Sequence, residues 1–249
     1  MRIAAETKFS DVVTDLNKLL LRGHYADRNE FAMRAILRES NRVLAVDPAA
    51  GWSLLSCYHT LLGEMEEVER CSRAALNLER FSIANEHYHT NVTNLGYFSA
   101  GHEFFLAVGS PENGMFSRLG LAAFLSGSIQ TVLHFLEKAT RMNIDMSGFP
   151  SSKTAKASAI LTEAGLSDED VVRHLDAAGA VLRRNKLLLF CETEMEVVDQ
   201  VDLLKGVTCI LRVRRSDEEV FELNMALALA EEEMGIKKSP AFEVLFLPV

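Results

Sequence analysis

The sequence predicts an N-terminal α-solenoid of helix hairpins over residues 8–146, a linker at 147–158, and a small α/β domain with about three strands over 159–249. Three observations carry this reading. Before residue 147, apolar residues recur at the three- and four-residue spacing of helices with one buried face. The helices pair into hairpins that arrive roughly every 30 residues, the period of an α-solenoid. After residue 158, short Leu-rich or β-branched runs alternate with helical segments in the order α-β-α-β-α-β.

The first helix is expected over Ser10–Leu21, with Val12, Val13, Leu16, Leu19 and Leu20 on one face and Gly23 closing it. The second runs from about Asn29 to Ala45 and stops at Asp47–Pro48, where proline supplies no helical N–H. Helices follow at about 51–62 and 64–78, then at roughly 82–100 and 102–108, with "GSPENG" (109–114) as a break. The last hairpin covers about 115–126 and 128–142. "SGFPSSKTAKAS" (147–158) combines Gly, Pro, Ser and Lys without apolar periodicity and reads as the linker.

In the C-terminal part, Ser167 and Asp170 form a capping box for a helix over 166–184. "KLLLFCE" (186–192) reads as a buried strand, 195–206 as a short helix, and "VTCILRV" (207–213) as a second strand. Ser216 and Glu219 cap a helix over 216–235 that ends at Gly235, and "AFEVLFLPV" (241–249) is the last strand. Along 216–235 the residues Val220, Phe221, Leu223, Leu227 and Leu229 are expected to face the sheet, and the glutamates water.

Offsets between aromatic, Gly and Ala repeat in the helical part. Trp52 is followed by Leu55, Gly63, Ala75, Leu76 and Leu78; Phe116 is followed by Leu119, Gly120, Gly127 and Ala139. On these residues the N-terminal part resembles the tetratricopeptide repeat family, over roughly 8–145. It departs from the family pattern at Ser56 and His59. The hairpin around Tyr97 and Gly101 is degenerate, its second helix cut short by Pro111. The resemblance implies stacked hairpins in which Ala75, Gly120 and Ala139 sit at close helix approaches. It also implies an inner, partner-binding face made by the first helix of each hairpin: Ser53, Cys57 and Thr60, then Tyr88, Asn91, Leu95 and Phe98, then Ser117, Leu121 and Phe124. Of the basic and amide residues with which family members hold a terminal carboxylate, only Asn91 has a counterpart here, so the mix suits a peptide with apolar anchors. The competing expectation is that the C-terminal domain or a second copy of the chain covers this face.

Nothing in the sequence carries a catalytic, metal or cofactor signature. His87 and His89 in "HYH", with His102 nearby, would diverge on a helix and lack a close Asp or Cys partner. Cys57 and His59, two apart on a helix, diverge in the same way. Cys191, Glu192 and Glu194 at a strand end are the best enzymatic candidates, yet adjacent acids raise a thiol's pKa rather than activate it. "GSPENG" lacks the Lys and preceding strand of a phosphate loop.

A net charge of −9 disfavours nonspecific binding to nucleic acid or to anionic membrane. "RVRR" at 212–215 is the densest basic run and reads as a solvated strand end. Four cysteines without a CxxC pair (57, 71, 191 and 209) and an N-terminus without an apolar core fit a cytoplasmic protein with free thiols. The expected function is therefore that of an adaptor that binds a protein or peptide through its groove, with the C-terminal domain as a second binding or dimerisation module. An enzyme or small-molecule sensor with its site in that domain is the alternative, and end-to-end self-assembly a third.

Overall fold

The computed structural model describes residues 2–78, 83–189, 193–200 and 204–249. Among the described residues eight α-helices come first: α1 (Arg2–Leu20), α2 (Phe31–Leu44), α3 (Pro48–Leu62), α4 (Met65–Leu78), α5 (Ile83–Asn94), α6 (Phe98–Val108), α7 (Phe116–Leu125) and α8 (Ile129–Arg141). They are followed by α9 (Ser151–Glu163), α10 (Asp168–Arg184), β1 (Thr193–Gln200), β2 (Leu204–Val213), α11 (Asp217–Glu233) and β3 (Phe242–Pro248). No helix among the described residues is long and apolar enough to cross a membrane.

The turns between helices follow from local chemistry. Asp47 does not merely stop α2: its carboxylate accepts the N–H of Ala50 at 3.1 Å and starts α3, with Pro48 at the first helical position. Gly63, at φ +75°, closes α3 in the left-handed conformation that side chains resist. Successive helices pack on one another, and α3 also touches α1 and α5, as α5 touches α7. Ala75 and Ala139 are fully buried, and Gly51 lies directly against the Leu44 backbone. Trp52 is half-buried beneath the Arg70 guanidinium, 5.3 Å from its ring centroid.

The sheet has the order β1-β2-β3, with β1 and β2 antiparallel and β2 and β3 parallel through the α11 crossover. Met195, Val207, Cys209, Leu211, Val213, Phe242, Val244 and Phe246 alternate onto its buried face. At β3, Asn224 of α11 donates its Nδ2–H to Phe246 O and accepts Phe246 N–H, both at 2.9 Å. This amide takes the place of a neighbouring strand residue on an edge otherwise open to pairing.

Several expectations are corrected. The described part of 195–206 is not a helix: 195–200 belong to β1 and 204–206 to the start of β2, because Met195 and Val197 point inward on alternate residues while Glu194, Glu196 and Asp199 remain exposed. The described part of 186–192 is not a strand of the sheet. Leu187 makes a single bridge to His24, and Leu189 N–H donates to Asn94 O at 3.0 Å, so the chain threads across helix turns there. From Ser151 the expected linker is helical; Thr154, Ala157 and Ser158 are buried, small enough to let α9 lie close on β1 and β2. The expected break near residue 101 lies instead at Gly96, φ +74°, with Gly101 inside α6.

The apolar clusters do not divide at 147–158. One gathers α1–α4 with Leu95 and Leu188; the other runs from Phe98 through α6–α11 to β3. Helix α10 is what joins them. Its Gly179 lies backbone to backbone on Gly96, and Arg183 donates to Gly96 O and covers the Tyr97 ring at 4.1 Å. Asp176 Oδ1 accepts the N–H groups of Phe98 (2.7 Å) and Ser99 (3.2 Å), the first residues of α6. Asp168 does the same for α8: Oδ1 accepts from Gln130 N–H and Oδ2 from Thr131 N–H, each at 2.8 Å. Two carboxylates on one helix thus cap two others.

Candidate functional site

Most residues expected on the inner, partner-binding face are interior. Ser53, Thr60, Asn91, Leu95, Phe98 and Phe124 are buried, Cys57 and Tyr88 are half-buried, and only Ser117 and Leu121 are exposed. The polar members turn toward the protein. Asn91 Nδ2 donates to Ser56 Oγ at 2.9 Å, Ser56 Oγ lies 2.7 Å from Ser72 Oγ, and Thr60 Oγ1 donates to Ser56 O at 3.0 Å. Buried polar groups are expensive unless paired, and these are paired with each other. Leu95 packs in the first cluster beside Leu188, and Phe98 lies in the second with α10. Neighbouring N-terminal helices cover most of this face, and the C-terminal part covers it at Leu95 and Phe98.

The chemical candidates separate as well. Burial pushes the Cys57 thiol up to about 11 and that of Cys209 up to about 12, which leaves both protonated and inert. His89 lies near Ser126 Oγ (3.4 Å), and burial, with His102 nearby, pulls it down to about 4. His102 Nδ1 meets Ser128 Oγ at 2.8 Å. His89 and His102 thus lie near each other in the interior, each against a serine of the α7–α8 turn, and His87 is half-buried. Cys191 and Glu192 lie outside the described residues. Glu194 is exposed, and its bond to Arg212 (2.7 Å) holds its carboxyl below the usual range. Arg212 and Arg215 of "RVRR" are paired with Glu194 and Glu219, as a solvated strand end should be.

Two surface features emerge that the sequence reading did not isolate. The first is a cleft of about 430 Å³ between the start of α10 and the loop after α11, lined among others by Arg173, His174, Lys237 and Lys238. Beneath it His174 Nδ1 lies 2.7 Å from Glu231 Oε1, both buried, and Lys238 Nζ lies 3.7 Å from Glu231 Oε2.

The second is the outer face of α11. The helix starts at Ser216, whose side chain accepts Glu219 N–H while Glu219 returns a bond to Ser216 N–H. Val220, Leu223, Leu227 and Ala230 are buried against the sheet and α10. Phe221 and Leu229, expected beside them, are not. With Met225 they recur every four residues on the opposite side of the helix, 65%, 54% and 58% exposed for Phe221, Met225 and Leu229. Glu218, Glu222 and Glu232 are exposed beside this stripe and make no ion pair among the described residues. The four-residue spacing of Phe221, Met225 and Leu229 was visible in the sequence; what hid it was an apolar set on both faces of one helix.

No protein-family model, no curated protein and no solved structure matches this chain.

Proposed function

We propose that this chain is a protein-interaction scaffold whose docking face is the outer side of α11, and that its occupant is a basic amphipathic helix of a partner protein. The observation that carries this is the Phe221–Met225–Leu229 stripe, three large apolar side chains in water on a rigid helix. Lone exposed apolar residues are ordinary; an aligned row is not. The capping box and the Asn224 clamp fix α11 before a partner arrives, so little ordering entropy opposes docking. The acidic flank selects the partner. A second copy of α11 would bring glutamates against glutamates, whereas Lys or Arg flanking an apolar row would meet them favourably. In this reading the tetratricopeptide-like helices are the scaffold, and the binding module expected in the C-terminal part is the one in use.

The probe is a synthetic Lys/Leu amphipathic helix of about five turns, ~18 residues, followed by fluorescence anisotropy. A Phe221→Glu/Leu229→Glu variant should lose at least about tenfold in affinity, the cost of removing two anchors, with its melting curve unchanged. Equal affinity of wild type and variant, or equal binding of a Glu/Leu peptide of the same pattern, would sink the reading.

The basic cleft favours a second reading, in which the C-terminal part holds a small anion. Inorganic phosphate should then raise the melting temperature of the wild type and leave that of Lys237→Ala/Lys238→Ala unmoved. No stabilisation by millimolar phosphate removes it.

A further inference from the structure

Across the α3–α4 turn, far in sequence from the docking face, three electron-pair donors converge. Glu67 and Cys71 are four residues apart on α4 and so share one face of that helix. His59, in the last turn of α3, reaches them from the facing helix. One ligand atom of each lies within 4.8 Å of those of the other two. His59 Nε2 is 3.9 Å from Glu67 Oε2, too far for a hydrogen bond.

The imidazole is held from behind. His59 Nδ1 lies 2.8 Å from Glu64 Oε2, and Glu64 Oε1 is bonded to Arg28. A carboxylate at Nδ1 fixes that nitrogen as the proton carrier and leaves the Nε2 lone pair directed forward, the arrangement that supports histidine ligands of metals. An imidazole lone pair, a carboxylate and a sulfur facing one another offer three donor atoms to one cation. Arg70 supplies some positive charge from the rim. Its Nε and Nη2 lie 2.9 and 2.7 Å from Glu67 Oε2, and Nη2 lies 3.5 Å from Cys71 Sγ. Arg70 is more than half exposed, and an exposed ion pair shifts an equilibrium by about fivefold at most, far less than three metal–ligand bonds.

We propose that His59, Glu67 and Cys71 bind a zinc ion, with Glu64 as the group that orients the imidazole. The mixed nitrogen, oxygen and sulfur set suits zinc over the harder calcium and magnesium. Tetrahedral zinc places its ligand atoms roughly 3.5 Å apart, so the site must contract by about 1 Å. Glu67, the most exposed of the three, swings inward to do so, and Arg70 moves out. Binding releases the Cys71 thiol proton to solvent. His59 and Glu67 also line an open cleft of about 620 Å³ with Arg28, Met65 and Tyr97, so the fourth position faces water or a small ligand. His59 lies outside the "HYH" run whose spacing predicts no metal ligands.

The test is a cobalt(II) titration of the full chain under reducing conditions. Wild type should gain the near-ultraviolet charge-transfer band of a thiolate–cobalt bond, saturating at one equivalent and erased by zinc. Cys71→Ser and His59→Ala should abolish or strongly weaken it, and Cys57→Ser should keep it. Glu64→Gln, at the surface turn, should keep the band but weaken binding about 10- to 100-fold, which preserves the test if Cys71→Ser fails to fold. Arg70→Ala should bind about two- to fivefold more tightly, the worth of one exposed ion pair. No band in wild type at millimolar cobalt, a band unchanged in Cys71→Ser, or equal affinities of wild type, His59→Ala and Glu64→Gln overturns the site.

Discussion

Asp168→Ala lowers the melting temperature by about 5–15 °C. Its carboxylate is buried and accepts the N–H groups of Gln130 and Thr131, which belong to the first turn of α8 and have no other acceptor in that helix. A buried donor left without a partner costs about 1–3 kcal/mol, and charge-assisted bonds lie at the upper end. Both donors are only part-buried, so water replaces part of the loss; the two bonds together give about 2–4 kcal/mol, at about 2–4 °C per kcal/mol for a chain of this size. The substitution also removes an acid from the first turn of α10, a smaller loss. Asp168→Asn keeps one acceptor oxygen but points an NH₂ at the second donor, so it should recover little. Thermal and urea melts followed by circular dichroism measure both. A shift of Asp168→Ala below about 1 °C would falsify the claim that this side chain caps α8.

Gly179→Ala should cost more, at or above the upper end of about 3 kcal/mol for overpacking. A methyl group at Gly179 overlaps Gly96 O and comes within 2.7 Å of the Gly96 carbonyl carbon and 2.9 Å of its Cα. These are backbone atoms, and Gly96 is held at φ +74°, so no side chain can rotate away. Relief requires α10 to back off, which stretches the Asp176 bonds to Phe98 and Ser99 and the Arg183 bond to Gly96 O. The costs of Gly179→Ala and Asp176→Ala should therefore fall short of additive, since the first already breaks what the second removes. Gly148→Ala is the control: nothing lies within 4 Å of the added carbon and the backbone is not left-handed, so it stays within about 0.5 kcal/mol of wild type. A melt of Gly179→Ala that overlays that of Gly148→Ala would exclude a close backbone crossing.

The elements legible in the sequence were those with local signals. Ser167 with Asp170 and Ser216 with Glu219 both form the capping boxes their spacing announced, and Gly63, Gly127 and Gly235 all sit at positive φ where helices end. The elements misread were those whose identity depends on what covers them. Ser151–Glu163 has only two large apolar residues, Ile160 and Leu161 near its end, and the small Thr154, Ala157 and Ser158 fit the rest of it against the sheet. Residues 195–206 carry apolar residues at both helical and alternate spacings, and the pairing of β1 with β2 decides for strands in the described part. The candidate site was hardest. Asn91 has the same sequence signature whether it meets a ligand or Ser56, and only the packing of α3 on α4 and α5 shows that the space is filled. His59, Glu67 and Cys71 are scattered singly until α3 folds back on α4. Only the Glu67–Cys71 interval is visible beforehand.

The caps supplied by α10 also bear on how the chain folds as it is made. The N–H groups at the start of α6 wait for an acceptor 78 residues downstream, and those of α8 for one 38 residues downstream. At about 5–20 residues per second, 78 residues take roughly 4–16 s to synthesise. During that interval the preceding helices emerge with apolar faces uncovered and their N-terminal turns unsealed. The nascent protein thus passes through a stage lasting seconds, long on the scale of helix formation, in which holding chaperones have their opportunity. Helix α10 ends that stage.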